Sequence, residues 1–141
     1  VSYGNEVLHG KVGGSGKYKY LDSKDNFVAK INITDEGFKL KNEDGSKVFW
    51  KVKVYENKIK IADNDEMALA YEVKQKSHAK VYLNGEEIGG ARATDSIYTT
   101  YFNGASSYVV VADNESHAAI LGVNNIPLSY RLIIINELKK R

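Results

Sequence analysis

The amino-acid sequence predicts a mainly β protein. About ten strands in an antiparallel meander are expected to form a barrel or a strongly curved sheet that encloses a C-terminal apolar α-helix. Three observations predict this fold class. Apolar and polar residues alternate from residue 17 to about residue 112, which is the period of a strand with one face in water. Clusters of Asp, Asn and Gly interrupt the alternation at hairpin intervals, and the last segment, IPLSYRLIIINELKKR, is the most apolar one.

The predicted strands follow from this alternation, segment by segment. In FVAKINIT the apolar residues Phe27, Ala29 and Ile31 share one face. In KVFWKVKV, Trp50 and Val52 share a face and the lysines lie on the other. The predicted strand ranges are 17–22, 26–34, 37–42, 47–56, 58–62, 69–76, 78–83, 87–93, 97–102 and 106–112.

Two Asn-Gly dipeptides give the strongest turn signals. Asn84-Gly85 and Asn103-Gly104 each stand between two β-rich segments. Both residue types tolerate the positive φ angles that a two-residue hairpin turn requires. Successive hairpins of this kind predict that each strand is antiparallel to the next.

The segment after Asn124-Asn125-Ile126-Pro127 is predicted to be a helix over residues 127–138. Asn favours the position before a helix, Pro favours its first turn, and three cations end the segment where the helix dipole is negative. The alternative is a final strand, because Leu132 to Ile135 is a short and largely β-branched run. Four consecutive apolar residues cover a full helical turn, so such a helix must be surrounded by the sheet.

The domain organisation follows from length and composition. A chain of 141 residues with 43% hydrophobic content is large enough for one buried core, and residues 17–141 are predicted to form a single domain. Residues 1–16, which contain Gly13, Gly14 and Gly16, are expected to be a flexible lead-in or an edge strand. No apolar run is long enough to span a bilayer, so no transmembrane segment is predicted.

A meander of hairpins such as YLDSKDNFVAKI and LKNEDGSKVFWKV, followed by a buried C-terminal helix, resembles the tubby-like fold. That fold is shared by tubby C-terminal domains, phospholipid scramblases and LURP-one-related proteins. The resemblance covers residues 17 to 138 and implies a sheet around a central helix. Members of the group are associated with phosphoinositide binding, with membrane lipids, or with no known activity. The cysteine-rich segment of scramblases is absent, and no tubby lipid-binding residue has a match here, so the resemblance assigns no site.

The sequence contains no pattern that indicates catalysis, a metal or a cofactor. His9, His78 and His117 are far apart and lack partners at metal-ligand spacing. The stretch HGKVGGSGKYKY fails as a phosphate loop, because Tyr18 stands where Ser or Thr binds magnesium and a strand follows instead of a helix. The acidic stretch ADNDEM lacks the glycine and the distal glutamate of a calcium loop, which favours an acidic turn. The absence of cysteine excludes disulfides and thiolate ligands.

Lysines alternate with aromatic residues between residues 17 and 60, a segment with eleven lysines and seven acidic residues. Such a face predicts contact with anionic lipid headgroups, with Tyr18, Tyr20 and Tyr55 as further aromatic groups. The alternative is that the lysines only supply solubility and block aggregation. The net charge of the whole chain, +2, is too small to favour nucleic acid, which is not an expected partner. The candidate binding residues are Lys39, Lys41, Trp50, Lys51, Lys53, Lys58, Lys60 and Arg131.

Arg131 is a charge inside the apolar helix. A buried guanidinium without a partner costs several kcal/mol, so Arg131 is expected to reach solvent or to pair with a carboxylate, with Glu72 and Asp95 as first candidates. Taken with the absence of catalytic groups, these patterns favour a non-enzymatic binding module for an anionic membrane surface or another protein. An accessory domain without a small ligand is the alternative, and an enzyme ranks third.

Overall fold

Most of the described chain consists of antiparallel strands that pair in the order in which they occur. The structure, a computed structural model, describes residues 2–3, 6–12, 17–95, 97–109 and 114–141. These residues contain one sheet of twelve strands, each paired with the next along the chain. The strands are β1 (Ser2–Tyr3), β2 (Glu6–Val12), β3 (Lys17–Asp22), β4 (Phe27–Ile33), β5 (Gly37–Lys41), β6 (Val48–Val54), β7 (Lys58–Ala62), β8 (Tyr71–Gln75), β9 (Ala79–Leu83), β10 (Glu86–Thr94), β11 (Ile97–Phe102) and β12 (Ala105–Val109).

The ten strands predicted from the alternation correspond to β3 to β12, so the mainly β, antiparallel architecture is confirmed. The predicted range 58–62 has the same bounds as β7, whereas the predicted range 69–76 begins too early for β8. Met67 and Leu69 adopt positive φ angles of 61° and 52°, which interrupt an extended strand and delay its start to Tyr71. The last residues of the predicted range 106–112 lie outside the described part of the chain.

The two Asn-Gly dipeptides form the predicted two-residue turns. Asn84 and Gly85 have φ angles of 53° and 80°, and Leu83 pairs directly with Glu86. At the next such turn, Asn103 and Gly104 have φ angles of 50° and 84°. Positive φ at both central residues matches the twist of the flanking strands, so these turns fix the register of β9 with β10 and of β11 with β12.

The sheet is not closed into a barrel. The strand order runs from β1 to β12, and within the described residues no ladder joins the two ends. An antiparallel sheet closes only when its first and last strands exchange hydrogen bonds. Here the core is covered by helices that lie against one face of the sheet, so the barrel form of the prediction is not met.

The first helix, α1 (Glu115–Leu121), lies in a segment that the sequence left without a predicted element. The side chain of Asn114 accepts a hydrogen bond from the backbone N–H of His117 at 2.9 Å and caps the helix. Ala118, Ala119 and Ile120 are buried, and the helix packs against β8 to β11. A seven-residue helix shows too few turns for an apolar stripe to be visible in the sequence.

The second helix, α2 (Leu128–Lys139), confirms the predicted helix and rules out a final strand. Pro127 precedes its first residue with an extended backbone, and Lys139 lies in its last turn. Leu132 to Ile135 are all buried, and Ile133 and Ile134 have no exposed surface. Burial of four consecutive positions means that the helix is covered on nearly every side, as its sequence predicts.

One hydrophobic core joins the inner face of the sheet to both helices. Alternate residues of β3 to β8 point into it, while the residues between them face outward. Its largest fully buried side chains are Tyr20, Phe38, Ile31, Leu40, Ile61, Ile120, Ile126, Ile133, Ile134, Val52 and Val73. The sheet therefore has an inner apolar face and an outer polar face.

Candidate functional site

The outer face of the sheet carries lysines that oppose one another across neighbouring strands. Directly opposed residues project on the same side of a sheet, with their Cβ atoms about 5 Å apart. Like charges in such positions destabilise a sheet, so this arrangement needs countercharges or a partner to offset the repulsion. The opposed pairs are Lys19 with Lys30, Lys30 with Lys41, Lys39 with Lys51, Lys53 with Lys60, Lys58 with Lys74, and Lys74 with Lys80. We call these ten residues the lysine face.

Asp65 forms ion pairs with both lysines of the opposed pair Lys39 and Lys51. Its carboxylate lies 2.8 Å from Lys39 Nζ and 3.4 Å from Lys51 Nζ. Lys51 Nζ also donates a hydrogen bond to the backbone oxygen of Asp65 at 3.0 Å. The hydrogen bonds from Lys39 and then Lys51 hold the pKa of Asp65 below its usual value. The turn after β7 therefore supplies a bridge between two lysines of β5 and β6.

Glu72, a residue of β8, forms ion pairs with both lysines of the opposed pair Lys58 and Lys74. Its carboxylate lies 3.6 Å from Lys58 Nζ and 3.8 Å from Lys74 Nζ. Lys58 and Lys60 also lie over the ring of Tyr55, with Nζ atoms 5.4 and 5.8 Å from the ring centroid. Three further lysines have one acidic partner each: Lys19 with Glu43, Lys53 with Glu36, and Lys80 with Glu87.

The opposed pair Lys30 and Lys41 differs from the others. Among the described residues, neither lysine forms an ion pair. Both line a recess of about 160 Å³ in the outer face. Asp44 at its edge is held by Ser46, whose backbone N–H donates to it at 2.9 Å, and hydrogen bonds from Ser46 lower the pKa of Asp44. The recess is lined by Lys17, Lys30, Asn32, Lys41, Asp44 and Gly45.

The structure brings six of the predicted binding residues together and separates two. The six lysines Lys39, Lys41, Lys51, Lys53, Lys58 and Lys60 all belong to the lysine face. Trp50 lies on the inner face, opposite Leu40, and is only 9% exposed. It cannot touch a ligand that is bound by the lysines, because the sheet lies between them.

Arg131 is the second predicted residue that lies away from the lysine face. Its Nε donates a hydrogen bond to the carbonyl oxygen of Ile126 at 2.7 Å, and its Nη1 donates to the carbonyl oxygen of Leu121. Leu121 is the last residue of α1, and Ile126 lies in the segment that connects α1 to α2. Of the two carboxylates proposed as partners, Glu72 is ion-paired with lysines of the outer face. Arg131 therefore tethers the helix connection, which the sequence did not indicate.

Tyr18 and Tyr20, predicted as possible aromatic contacts of the lysines, also point to the inner side. The carboxylate of the buried Glu137 accepts hydrogen bonds from both hydroxyls, that of Tyr20 at 2.6 Å, and lies 3.0 Å from Lys140 Nζ. Asn136 donates to the Tyr20 hydroxyl at 2.5 Å. Burial and then the bond to Glu137 raise the pKa of both tyrosines. This cluster fastens the end of α2 to β3.

A second polar cluster lies between β9, β10 and β11. The Nε2 atom of the buried His78 is 2.7 Å from the Tyr101 hydroxyl, which donates to the Glu87 carboxylate at 2.8 Å. Burial lowers the pKa of His78, and the charges of Arg92 and Lys80 lower it further. Burial and the bond to Glu87 raise the pKa of Tyr101 to about 12.

Sequence reasoning missed five of the eleven lysines of the lysine face and its recess. Lysine alternation was visible in each strand, but the opposition of lysines depends on register, which a single strand does not reveal. The lysines that belong to the face or its recess and were not predicted are Lys17, Lys19, Lys30, Lys74 and Lys80. The sequence signal that could have revealed them is that two lysines at equal distances on either side of a hairpin turn face each other across the sheet.

Comparison with protein-family models, with curated proteins and with solved structures found no match for the chain. Within the described residues, no helix is long and apolar enough to cross a membrane. The same part of the chain holds no group of three or more metal-ligating side chains. The lysine face and the cavities are therefore the features of the structure that bear on function.

Proposed function

We propose that this protein is a non-enzymatic binding module whose lysine face docks on an anionic membrane surface. The observation that carries the proposal is the Lys30–Lys41 pair, two directly opposed cations that form no ion pair among the described residues and share their recess with the single carboxylate of Asp44. A pair that is compensated only in part costs stability in the isolated domain. A phosphate group of a lipid, placed between the two ammonium groups, supplies the missing countercharge.

The size and position of the recess support the same proposal. A volume of about 160 Å³ accommodates a phosphate-sized headgroup rather than a drug-sized molecule. Lys17 at its edge adds a third cation, and the other lysines of the face extend the positive surface over seven strands. A broad face of lysines around one binding recess is suited to a surface of many headgroups.

The proposal is tested by flotation with vesicles of neutral phosphatidylcholine and with vesicles that also contain phosphatidylserine. We expect binding to the anionic vesicles at low salt, weaker binding at physiological salt, and none to the neutral vesicles. The double variant Lys30→Gln/Lys41→Gln should bind about thirtyfold more weakly, because each lysine near an anionic surface contributes about 1 kcal/mol.

Two exposed turn lysines provide a matched control. Lys24→Gln/Lys76→Gln removes the same charge from positions outside the lysine face, and we expect it to keep wild-type binding. Equal binding by the wild type and by Lys30→Gln/Lys41→Gln contradicts the recess as the anchor. Absence of binding to the anionic vesicles at low salt contradicts the membrane function altogether.

An accessory domain without a ligand is the second candidate. It is favoured by Asp65 and Glu72, which form ion pairs with four of the lysines within the protein itself. In that case the lysines keep the outer face soluble and discourage pairing between sheets of different molecules. The vesicle experiment separates the two candidates.

We further propose that the chain belongs to the tubby-like group and that its sheet wraps around α2. The support is the strand meander that ends in a helix whose Ile133 and Ile134 are fully buried. An experimental structure with a flat sheet and α2 on its surface contradicts this architecture.

A further inference from the structure

A second cavity lies on the other side of the sheet, where the ends of β6 to β9 meet the connection between the helices. Its volume is about 430 Å³, which is within the range of small-molecule sites. Trp50, Tyr71 and Leu83 supply its apolar and aromatic lining. The lysines play no part in it, since the residues of the lysine face project from the opposite side of the sheet.

The loop between β7 and β8 forms one wall and is held in a strained shape. Met67 and Leu69 have positive φ angles of 61° and 52°, which large side chains rarely adopt. Asn64 fixes this shape, because its Oδ1 accepts from Ala68 N at 2.8 Å and its Nδ2 donates to Ala68 O at 3.0 Å. The loop holds Leu69 against the cavity with 71% of its surface exposed. Strain retained around an exposed apolar side chain is typical of a ligand-binding segment.

The polar groups of the cavity favour a ligand that donates hydrogen bonds and carries positive charge. Among the described lining residues, Asp63 is the one with a charge. Asn125 donates its Nδ2 to the Tyr71 hydroxyl at 3.2 Å, which leaves the carboxamide oxygen as an acceptor. The buried Trp50 and the half-buried Tyr71 both line the cavity, and an aromatic ring attracts a cation to its negative π face. A carboxylate, a carboxamide oxygen and two aromatic rings suit an ammonium group on an apolar body.

We propose that this cavity is a binding site for small organic amines in their protonated form. The apolar body of the amine lies against Trp50, Leu69 and Leu83, and its ammonium group is oriented to Asp63 and the carboxamide oxygen of Asn125. The site is independent of the lysine face, which has the opposite charge.

Trp50 is the single tryptophan of the chain, so its fluorescence reports on this cavity. Three ligands of matched shape separate charge from apolar contact: phenethylamine, 2-phenylethanol and phenylacetate. We expect a saturable change with phenethylamine, binding of 2-phenylethanol about tenfold weaker, and weaker binding still for phenylacetate. Equal dissociation constants for the amine and the alcohol, or no saturable change with any of the three, overturn the proposal without recourse to a variant.

Asp63→Asn tests the assigned carboxylate, because it removes the charge and keeps the shape and an acceptor oxygen. We expect this variant to bind phenethylamine no better than 2-phenylethanol. Asp35→Asn, at the exposed turn between β4 and β5, removes the same charge and should keep the wild-type preference. A preserved amine preference in a folded Asp63→Asn protein, checked by its thermal unfolding, contradicts the assignment.

Discussion

The inner and outer faces of the sheet hold charge in opposite ways. On the inner side, the carboxylate of Glu137 is 2% exposed and is bonded to Tyr18, Tyr20 and Lys140. On the outer side, ten lysines share a few acidic partners, and the Lys30–Lys41 pair forms no ion pair within the described residues. A buried charge must be satisfied by the fold itself, whereas solvent can carry a surplus on the surface. The comparison therefore assigns the inner charges to stability and the outer surplus to binding.

The largest expected effect is the loss of stability on replacing Glu137. Glu137→Ala leaves two partly buried tyrosine hydroxyls without their acceptor, and we expect the free energy of unfolding in urea to fall by about 3 kcal/mol. Glu137→Gln retains an acceptor oxygen and should lose less. An unchanged urea midpoint for Glu137→Ala contradicts the assignment of the inner charges to stability.

Arg131 provides the next largest effect. In Arg131→Met the apolar stem is retained, but the carbonyl oxygens of Leu121 and Ile126 lose a donor, and we expect a destabilisation of about 2 kcal/mol. Thermal unfolding measures this loss, and Arg131→Lys should recover part of it. If Arg131→Met unfolds at the same temperature as the wild type, water replaces the guanidinium without loss of stability.

His78 contacts Tyr101 beside the Lys80–Glu87 ion pair and makes the stability of the protein sensitive to pH. Its folded-state pKa is lowered by burial and by Arg92 and Lys80, while Glu87 and Glu115 oppose this shift. The unfolded chain therefore takes up the proton first as the pH falls, so this stability is complete above about pH 6.5 and is lost below it. We expect urea unfolding to show a decline from pH about 7.5 to about 5.5 that is smaller in His78→Gln. The same slope in both proteins assigns the decline to other groups.

Asp65 limits the positive charge that Lys39 and Lys51 can offer to a membrane. Asp65→Asn releases Lys39 and Lys51, so we expect little change in thermal unfolding but about threefold tighter binding to anionic vesicles. Asp35→Asn, which removes the same charge from an exposed turn, is the control and should bind as the wild type does. Weaker binding by Asp65→Asn shows that Asp65 positions these lysines rather than competing for them.

The sequence was sufficient for the elements whose signals are local. Alternation predicted β3 to β12, the Asn-Gly dipeptides predicted two hairpin turns, and the apolar run with its capping signals predicted α2. Helix α1 was missed because seven residues are too short to display a period. The sequence predicted a barrel or a strongly curved sheet without choosing between them, because closure depends on contact between distant strands, which no local pattern encodes; the sheet is not closed.

The candidate site was predictable in its chemistry and not in its geometry. The lysines were visible, but their opposition across the sheet depends on register, and their neutralisation depends on the turn that carries Asp65. Trp50 was grouped with the lysines because of its place in the sequence, although alternation places it on the inner face. The partners of Arg131 were missed because backbone carbonyls are present everywhere in a sequence and cannot be selected without the fold.

Two double variants, each of which removes one opposed lysine pair, test whether Lys30 and Lys41 anchor the protein on an anionic membrane. Lys30→Gln/Lys41→Gln removes the pair that forms no ion pair among the described residues, and Lys39→Gln/Lys51→Gln removes the pair bridged by Asp65. For both proteins, binding to vesicles with phosphatidylserine is measured beside urea unfolding. We expect about a thirtyfold loss of binding for the first variant and at most about threefold for the second, while the first keeps its stability within about 0.5 kcal/mol. Equal losses of binding, or a larger loss for the second variant, contradict this expectation.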